Sequence, residues 1–122
     1  MSCLFNSLSR FVSDSSENIR KNICDYLLTN PKLYDEISAS DYINWESGKS
    51  LNDYVKQMRS SSTWGGAIEI SAFTHLYAMN VNVLNIRDSG NYTIIKPIEF
   101  KSNQKTNKSC TISWNGFHYE PI

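Results

Sequence analysis

Apolar residues recur at helical spacing over the first two-thirds of the chain and at alternate positions over the last third. The first apolar run predicts a helix over residues 3–12, with a polar turn behind it. Ser15 or Ser16 is expected to cap a second helix, which ends before Pro31 because proline cannot continue a helix. Cys24 lies beside the apolar stripe of that helix and is predicted to be a core residue.

The middle of the chain carries one weak pattern and two clear ones. Residues 32–48 are weakly patterned, and their expected apolar anchors are Tyr34, Ile37, Tyr42 and Trp45. Residues 50–53 resemble a capping box and predict a short helix from Leu51. A loop that ends in Gly65 and Gly66 then leads to a longer helix over residues 67–79, apolar on nearly every side, which predicts a central position in the fold.

The period changes from helical to alternating at residue 81. Strands are predicted over 81–86, 92–95 and 110–114, with a turn at 88–91, a short edge piece at 97–100 and a solvated loop at 101–108. Asn115 and Gly116 predict a two-residue hairpin turn, so that residues 117–122 form the last strand. Helices followed by a small, mostly antiparallel sheet indicate an α+β fold, and 122 residues are expected to form a single domain over residues 1–122.

Composition excludes several classes of function. Twelve basic and twelve acidic residues give a net charge of zero, so neither nucleic acid nor a membrane surface is an expected partner. Three cysteines without a C-x-x-C pair argue against a disulfide framework or a structural zinc site. The chain contains no signal-peptide core and no apolar run of membrane-spanning length. We therefore expect a monomer in the cytoplasm, or in the host cytoplasm if the source is viral or microbial.

Candidate chemistry lies at the two ends of the chain. Cys3 begins the first helix, where free N–H groups and the helix dipole favour a thiolate, the nucleophilic form. On the last predicted strand, His118 and Glu120 lie two residues apart and therefore share a face. A cysteine, a histidine and an orienting acid are the parts of a thiol hydrolase. The alternatives are a small core cysteine under the first helix and an exposed hairpin histidine beside a solvated acid.

No metal, nucleotide or other cofactor is expected. His75 lies inside the central helix without a second histidine four residues away, which favours a structural role over a metal-binding one. The sequence also contains no H-E-x-x-H, Gly-rich phosphate loop or EF-hand pattern.

Three blocks carry a resemblance to a known family: CLFNSL at 3–8, TWGGAIEI at 63–70 and WNGFHYE at 114–120. Their residues and order resemble the signature blocks of the OTU (ovarian tumour) family. These are papain-like cysteine proteases, mostly deubiquitinases. The resemblance covers essentially the whole chain and implies a papain-like OTU fold.

The resemblance also implies a role for each block. Cys3 would attack the carbonyl of the peptide or isopeptide bond after the C-terminal glycine of ubiquitin or a ubiquitin-like modifier. His118 would act as base and then acid, and Glu120 would orient the His118 ring. The expected substrate cleft consists of four residues, Trp64, Gly65, Gly66 and Phe117, and would hold an extended tail that ends in two glycines.

One feature departs from the family pattern. Family members carry Asp-Gly-x ahead of the cysteine, in a loop that helps to form the oxyanion hole, whereas only Met1 and Ser2 precede Cys3 here. Loss of one oxyanion donor costs about 100- to 1000-fold in turnover. Three readings follow: a sequence that starts late, a thiol protease impaired in this form, or a non-catalytic ubiquitin-binding module that keeps the fold.

Overall fold

Five helices and six strands form the regular structure of the described residues, which are 3–86, 98–116 and 118–122 of a computed structural model. Along these residues, no helix is long and apolar enough to cross a membrane. In chain order the elements are α1 (Cys3–Ser9), α2 (Ser16–Leu28), β1 (Lys32–Tyr34), β2 (Ile37–Ser38), α3 (Ala39–Ser47), α4 (Leu51–Met58), α5 (Ala67–Leu76), β3 (Asn80–Asn85), β4 (Ile98–Phe100), β5 (Ser109–Trp114) and β6 (Tyr119–Pro121).

Serine caps begin three of the helices. Ser15, Ser38 and Ser50 each accept a hydrogen bond from the backbone N–H three residues later, at the starts of α2, α3 and α4. Such bonds satisfy N–H groups that have no partner within the helix. The predicted caps at Ser15 and Ser50 are confirmed.

Helix α5 has the central position that its sequence predicts. It packs against two helices, α2 and α3, and three strands, β1, β3 and β4. Every residue from Ile68 to His75 is buried. The helix ends at Leu76 instead of residue 79, because Ala78 adopts a left-handed conformation with φ 52°. Met79 is still buried.

A four-stranded sheet with the order β4-β3-β5-β6 packs beside the helices. The outer pairs, β3 with β4 and β5 with β6, are antiparallel, whereas β3 and β5 run parallel, with Val81 opposite Cys110. The α+β class and the mostly antiparallel sheet are confirmed. The predicted edge piece is β4, at the end of the sheet.

Helix α1 is shorter than predicted and ends at Ser9 instead of residue 12. The hydroxyl of Ser7 donates to the Cys3 carbonyl, and that of Ser9 donates to the Asn6 carbonyl. Serine hydroxyls that bind nearby carbonyls compete with the regular helix ladder. The backbone then tightens, since the N–H of Arg10 bonds back to Ser7.

The weakly patterned segment 32–48 contains three elements that the sequence analysis did not predict, β1, β2 and α3. Helix α3 buries only Ala39 and Ile43, so its apolar stripe is too short to stand out. The sequence signals for this helix were its capping residues, Ser38 at the start and Gly48 at the end. In the structure, Gly48 has φ 71°. Trp45 was wrongly expected to be an anchor, because its side chain on this helix is 68% exposed.

The C-terminal hairpin has a longer turn than predicted. Trp114 pairs with Tyr119, which leaves a four-residue connection, 115–118, and a short strand β6. The Asn115 side chain accepts a hydrogen bond from the His118 N–H at 2.8 Å, and Gly116 has φ 103°. His118 therefore lies at the end of the connection, just before β6, and not within the strand.

Two predictions about the polar segments have different outcomes. The turn at 88–91 and the strand at 92–95 lie outside the described residues. The loop 101–108 is largely exposed, as predicted, but it is also attached to α5. The N–H of Asn103 donates to His75 Nδ1 at 2.9 Å, and the Gln104 amide donates to the His75 carbonyl. His75 Nε2 bonds the Leu33 carbonyl, so the histidine is structural, as predicted.

Candidate active site

Cys3 is the first residue of α1 and is half-buried, whereas Cys24 and Cys110 are buried. Leu4, Phe5 and Leu8 lie beneath it in the core with 1% of their surface exposed or less. The other two thiols are less reactive, because burial raises the pKa of Cys24 and of Cys110 to about 11. Cys3 is thus the thiol that the fold leaves accessible.

The loop before α5 presses directly against α1. A Cβ atom added at Gly65 would lie 2.7 Å from Leu4 Cδ2, which is closer than real Cβ atoms approach, and 3.1 Å from Phe5 Cε2, which is a tight contact. At Gly66 nothing lies within 4 Å of the same position. The close approach to α1 is therefore found at Gly65 and not at Gly66.

Trp64 connects this loop to the histidine. Its ring centroid lies 6.2 Å from that of the His118 imidazole, with the two planes tilted by 35°. Trp64 is 44% exposed, so one part of its ring faces solvent beside the histidine. Residue 64 directly precedes Gly65, which contacts α1, and the histidine therefore lies at the end of the fold where α1 begins.

Strand β6 also lies next to α1. The two elements are in contact, and the strand begins at Tyr119, directly after His118. Burial raises the pKa of Tyr119 to about 12, and the nearby Cys3 thiol adds to the shift. The structure thus brings together the start of α1 at Cys3, the loop that contains Trp64 and Gly65, and the segment that contains His118.

The two remaining candidates are less well placed by the structure. Glu120 is exposed on β6, opposite Ser113, and no hydrogen bond joins its carboxylate to the His118 ring in the part of the chain that the structure describes. Phe117 lies outside the described residues. The roles of both stay predictions.

Arg20, on α2, is a buried residue that the sequence analysis did not single out for a role. Its guanidinium donates to the Met58 carbonyl at 2.8 Å and to the Thr63 carbonyl at 3.0 Å. It also lies over the Phe5 ring, with Cζ 4.3 Å from the ring centroid. The available signal was a cation next to the buried stripe of α2, between Ile19 and Ile23.

Glu69 is the second residue that the sequence analysis missed. Its carboxylate accepts the Gly66 N–H at 2.7 Å and the Tyr54 hydroxyl at 2.6 Å, which holds the loop at the start of α5. Only 1% of this residue is exposed. Burial raises the pKa of Glu69 to about 7, although the bonds from Tyr54 and Gly66 oppose the shift. The signal in the sequence was a glutamate three residues after the helix cap.

The chain as a whole can be compared with known proteins. The family model described as OTU-like cysteine protease matches residues 2–120. This chain belongs to the OTU-like cysteine protease family. Ubiquitin thioesterase Otu1 of Drosophila melanogaster is 28% identical over 127 residues, a match that covers 99% of this OTU chain and 32% of the fly protein. The chain spans about a third of the length of the curated relatives that it matches.

Solved structures agree with the fold. An ovarian tumour (OTU) domain in complex with ubiquitin superimposes with a TM-score of 0.75 at 25% identity, over 98% of this OTU chain and 62% of that one. The viral OTU domain protease from Dera Ghazi Khan virus gives a TM-score of 0.73 at 16% identity, over 98% and 72% of the two chains. The papain-like OTU fold expected from the sequence blocks is confirmed.

Ionisation of Glu69 is expected to make the free energy of unfolding fall as the pH rises. The pKa of this carboxyl is about 7 in the folded protein and 4.5 in its ordinary state, so the folded form binds the proton more tightly between these values. This stabilisation is complete below pH 4.5 and is lost as the pH rises through 7. Glu69→Gln keeps the shape without the charge. Its stability relative to the wild type should therefore rise between pH 5 and pH 8, by about 2.5 kcal/mol.

Urea titrations at several pH values measure this difference. Glu17→Gln is the matched control, because Glu17 lies exposed in the first turn of α2. Its stability difference from the wild type should stay constant from pH 5 to pH 8. An equally constant difference for Glu69→Gln would show that burial does not raise the pKa of Glu69.

Proposed function

We propose that this chain is the catalytic domain of a cysteine-type deubiquitinase. It would hydrolyse the peptide or isopeptide bond after the C-terminal glycine of ubiquitin or a ubiquitin-like modifier. The observation that carries the proposal is the convergence of α1, which begins at Cys3, with the segment that bears His118. The family membership and the ubiquitin-bound OTU domain of similar structure support it.

The proposed reaction proceeds in two steps. His118 takes the proton of the Cys3 thiol, and the sulfur attacks the glycine carbonyl. The C–N bond breaks as the imidazolium gives its proton to the leaving amine, and a thioester between Cys3 and the modifier remains. His118 then activates a water molecule that hydrolyses this thioester. Glu120 is proposed to orient the imidazole, which requires its exposed carboxylate to turn towards the ring.

A small groove borders part of the proposed cleft. It has a volume of about 170 Å³ and lies beside Trp64, Gly65 and Gly66, with Tyr42 and Tyr54 on its other walls, and neither Cys3 nor His118 lines it. The proposed position of the extended tail therefore rests on the family resemblance and not on this groove. Phe117 enters the proposed cleft through the family resemblance alone.

The other parts of the proposal concern the setting in which the protein acts. We propose one domain over residues 1–122 that works as a monomer in the cytoplasm and binds neither nucleic acid nor membranes. The zero net charge supports the choice of partners, because it provides no general attraction to polyanions or anionic lipid surfaces.

The proposal is tested with ubiquitin that carries an electrophile in place of its C-terminal carboxylate. Intact-protein mass spectrometry should show one adduct with the wild type and none with Cys3→Ser. Cys24→Ala and Cys110→Ala should still form the adduct, because both thiols are buried. Absence of an adduct, with ubiquitin binding retained in a titration, would favour a non-catalytic binding module. Absence of both adduct and binding would contradict both functions.

A further inference from the structure

Arg20 is a buried side chain that contacts several separate parts of the fold. It belongs to α2, and 5% of its surface is exposed. Its hydrogen bonds reach the carbonyl of Met58, the last residue of α4, and that of Thr63, in the following loop. Hydrogen bonds from a charged donor are stronger than neutral ones, and the planar guanidinium directs them along fixed lines. Arg20 therefore fixes the path of the loop that leads to α5.

The same guanidinium contacts α1. It lies over the Phe5 ring at 4.3 Å, within the range of a cation–π interaction. Phe5 is fully buried and lies two residues after Cys3 on α1, so its ring cannot turn away from Arg20 into solvent. The position of this ring is coupled through the short helix to the position of Cys3.

The loop that Arg20 holds is the one that faces the histidine. Thr63, whose carbonyl accepts its hydrogen bond, directly precedes Trp64, and the Trp64 ring lies beside the His118 imidazole. The next residue, Gly65, presses against Phe5. Arg20 thus touches both the segment beside His118 and the helix that begins at Cys3.

We propose that Arg20 is a positioning residue, which holds α1 and the Trp64 loop at a fixed separation and so sets how Cys3 meets His118. This inference rests on the proposed function, because it assigns Arg20 a part in that reaction. Arg20 acts through other residues and does not touch the reacting atoms. A displacement of about 1 Å in a catalytic pair can cost about 100-fold in rate, so a small shift of α1 is enough to matter.

The test uses Arg20→Lys and Arg20→Met. Lysine keeps the charge but cannot make two directed bonds and stack on Phe5 at the same time, and methionine keeps the apolar volume without any donor. On a ubiquitin C-terminal fluorogenic amide, both variants should lower kcat by about 10- to 100-fold, with KM within about threefold of the wild-type value. The lysine variant should retain more activity than the methionine variant.

A control separates positioning from general stability. Leu27→Ala removes core packing two helical turns further along the same helix, α2, where Leu27 is fully buried. It should lower the melting temperature at least as far as Arg20→Lys does, while kcat measured well below the melting temperature stays within about twofold of the wild-type value. If Leu27→Ala lowers kcat as much as the Arg20 variants do, Arg20 supports the fold and nothing more.

A second measurement does not depend on turnover. The rate at which iodoacetamide alkylates Cys3, followed by mass spectrometry from pH 5 to pH 9, reports how the thiol is paired with its neighbours. The Arg20 variants should shift this pH profile, and Leu27→Ala should leave it unchanged. If the wild type hydrolyses no substrate, the proposed function fails, and this profile alone then decides the role of Arg20. A profile and a kcat that are both unchanged in Arg20→Met would overturn the inference.

Discussion

Replacing His118 by alanine is expected to lower kcat on a ubiquitin C-terminal amide by at least about 1000-fold. Without the imidazole, the Cys3 thiol would lack the base proposed to take its proton, and the leaving amine would lack its proposed acid. The side chain is exposed at the end of the hairpin connection, so the variant should fold and should still bind ubiquitin. Steady-state kinetics, together with a binding titration and a melting curve, measure all three properties.

Glu120→Gln is the informative comparison for the histidine variant. In the wild type, the Glu120 carboxylate is exposed and makes no hydrogen bond to the His118 ring within the described residues. We therefore expect Glu120→Gln to lose much less kcat than His118→Ala. A loss of the same size would show that Glu120 turns to the imidazole during the reaction. Retention of wild-type kcat in His118→Ala would remove this histidine from the reaction.

Gly65→Ser is expected to destabilise the fold by about 1–3 kcal/mol and to lower kcat by about 10- to 100-fold. The added Cβ would meet Leu4 at 2.7 Å and the Phe5 ring at 3.1 Å. Both side chains are buried and cannot swing into solvent, so the Leu4 side chain or α1 has to move within the core. Because Cys3 begins that helix, a movement of α1 should also displace the proposed nucleophile. Urea titration measures the first effect, and steady-state kinetics measure the second.

Gly66→Ser is the matched control, since it makes the same substitution one residue later. Nothing lies within 4 Å of the added Cβ, and serine is favoured at the N-cap position that Gly66 occupies. This variant should unfold at a urea concentration close to or above the wild-type value. If Gly65→Ser and Gly66→Ser unfold at the same urea concentration, the close contact between Gly65 and α1 does not explain a need for glycine at position 65.

Local signals in the sequence predicted most of the elements. Ser15 and Ser50 mark the starts of α2 and α4 because a cap acts on a backbone N–H three residues away. The all-round apolar pattern of α5 predicted its central position. Helix α3 was not predicted, because its buried face consists of two residues. The predicted end of α1 was wrong, because serine hydroxyls compete with the backbone hydrogen bonds of that helix.

The candidate catalytic residues were found from residue type and order. The buried residues that hold the neighbouring loop, Arg20 and Glu69, were not. Sequence spacing placed Cys3 at a helix start, and the structure agrees. Spacing also placed His118 within a strand, whereas the longer connection 115–118 puts it just before one. Local signals placed Arg20 beside the buried stripe of α2 and Glu69 three residues after a helix cap, but neither signal shows that the side chain is buried. Burial decides both, and burial depends on the elements that pack around them.

The sequence by itself determined the type and order of most of the elements and the identity of the family. These depend on periodicity, caps and short blocks, all of which act within a few residues. Only the tertiary structure decided which side chains meet around the candidate site. Arg20 bonds to carbonyls 38 and 43 residues away, and Trp64 faces His118 from another part of the chain. Such contacts arise when the helices and the sheet bury their apolar faces together, and no local pattern encodes them.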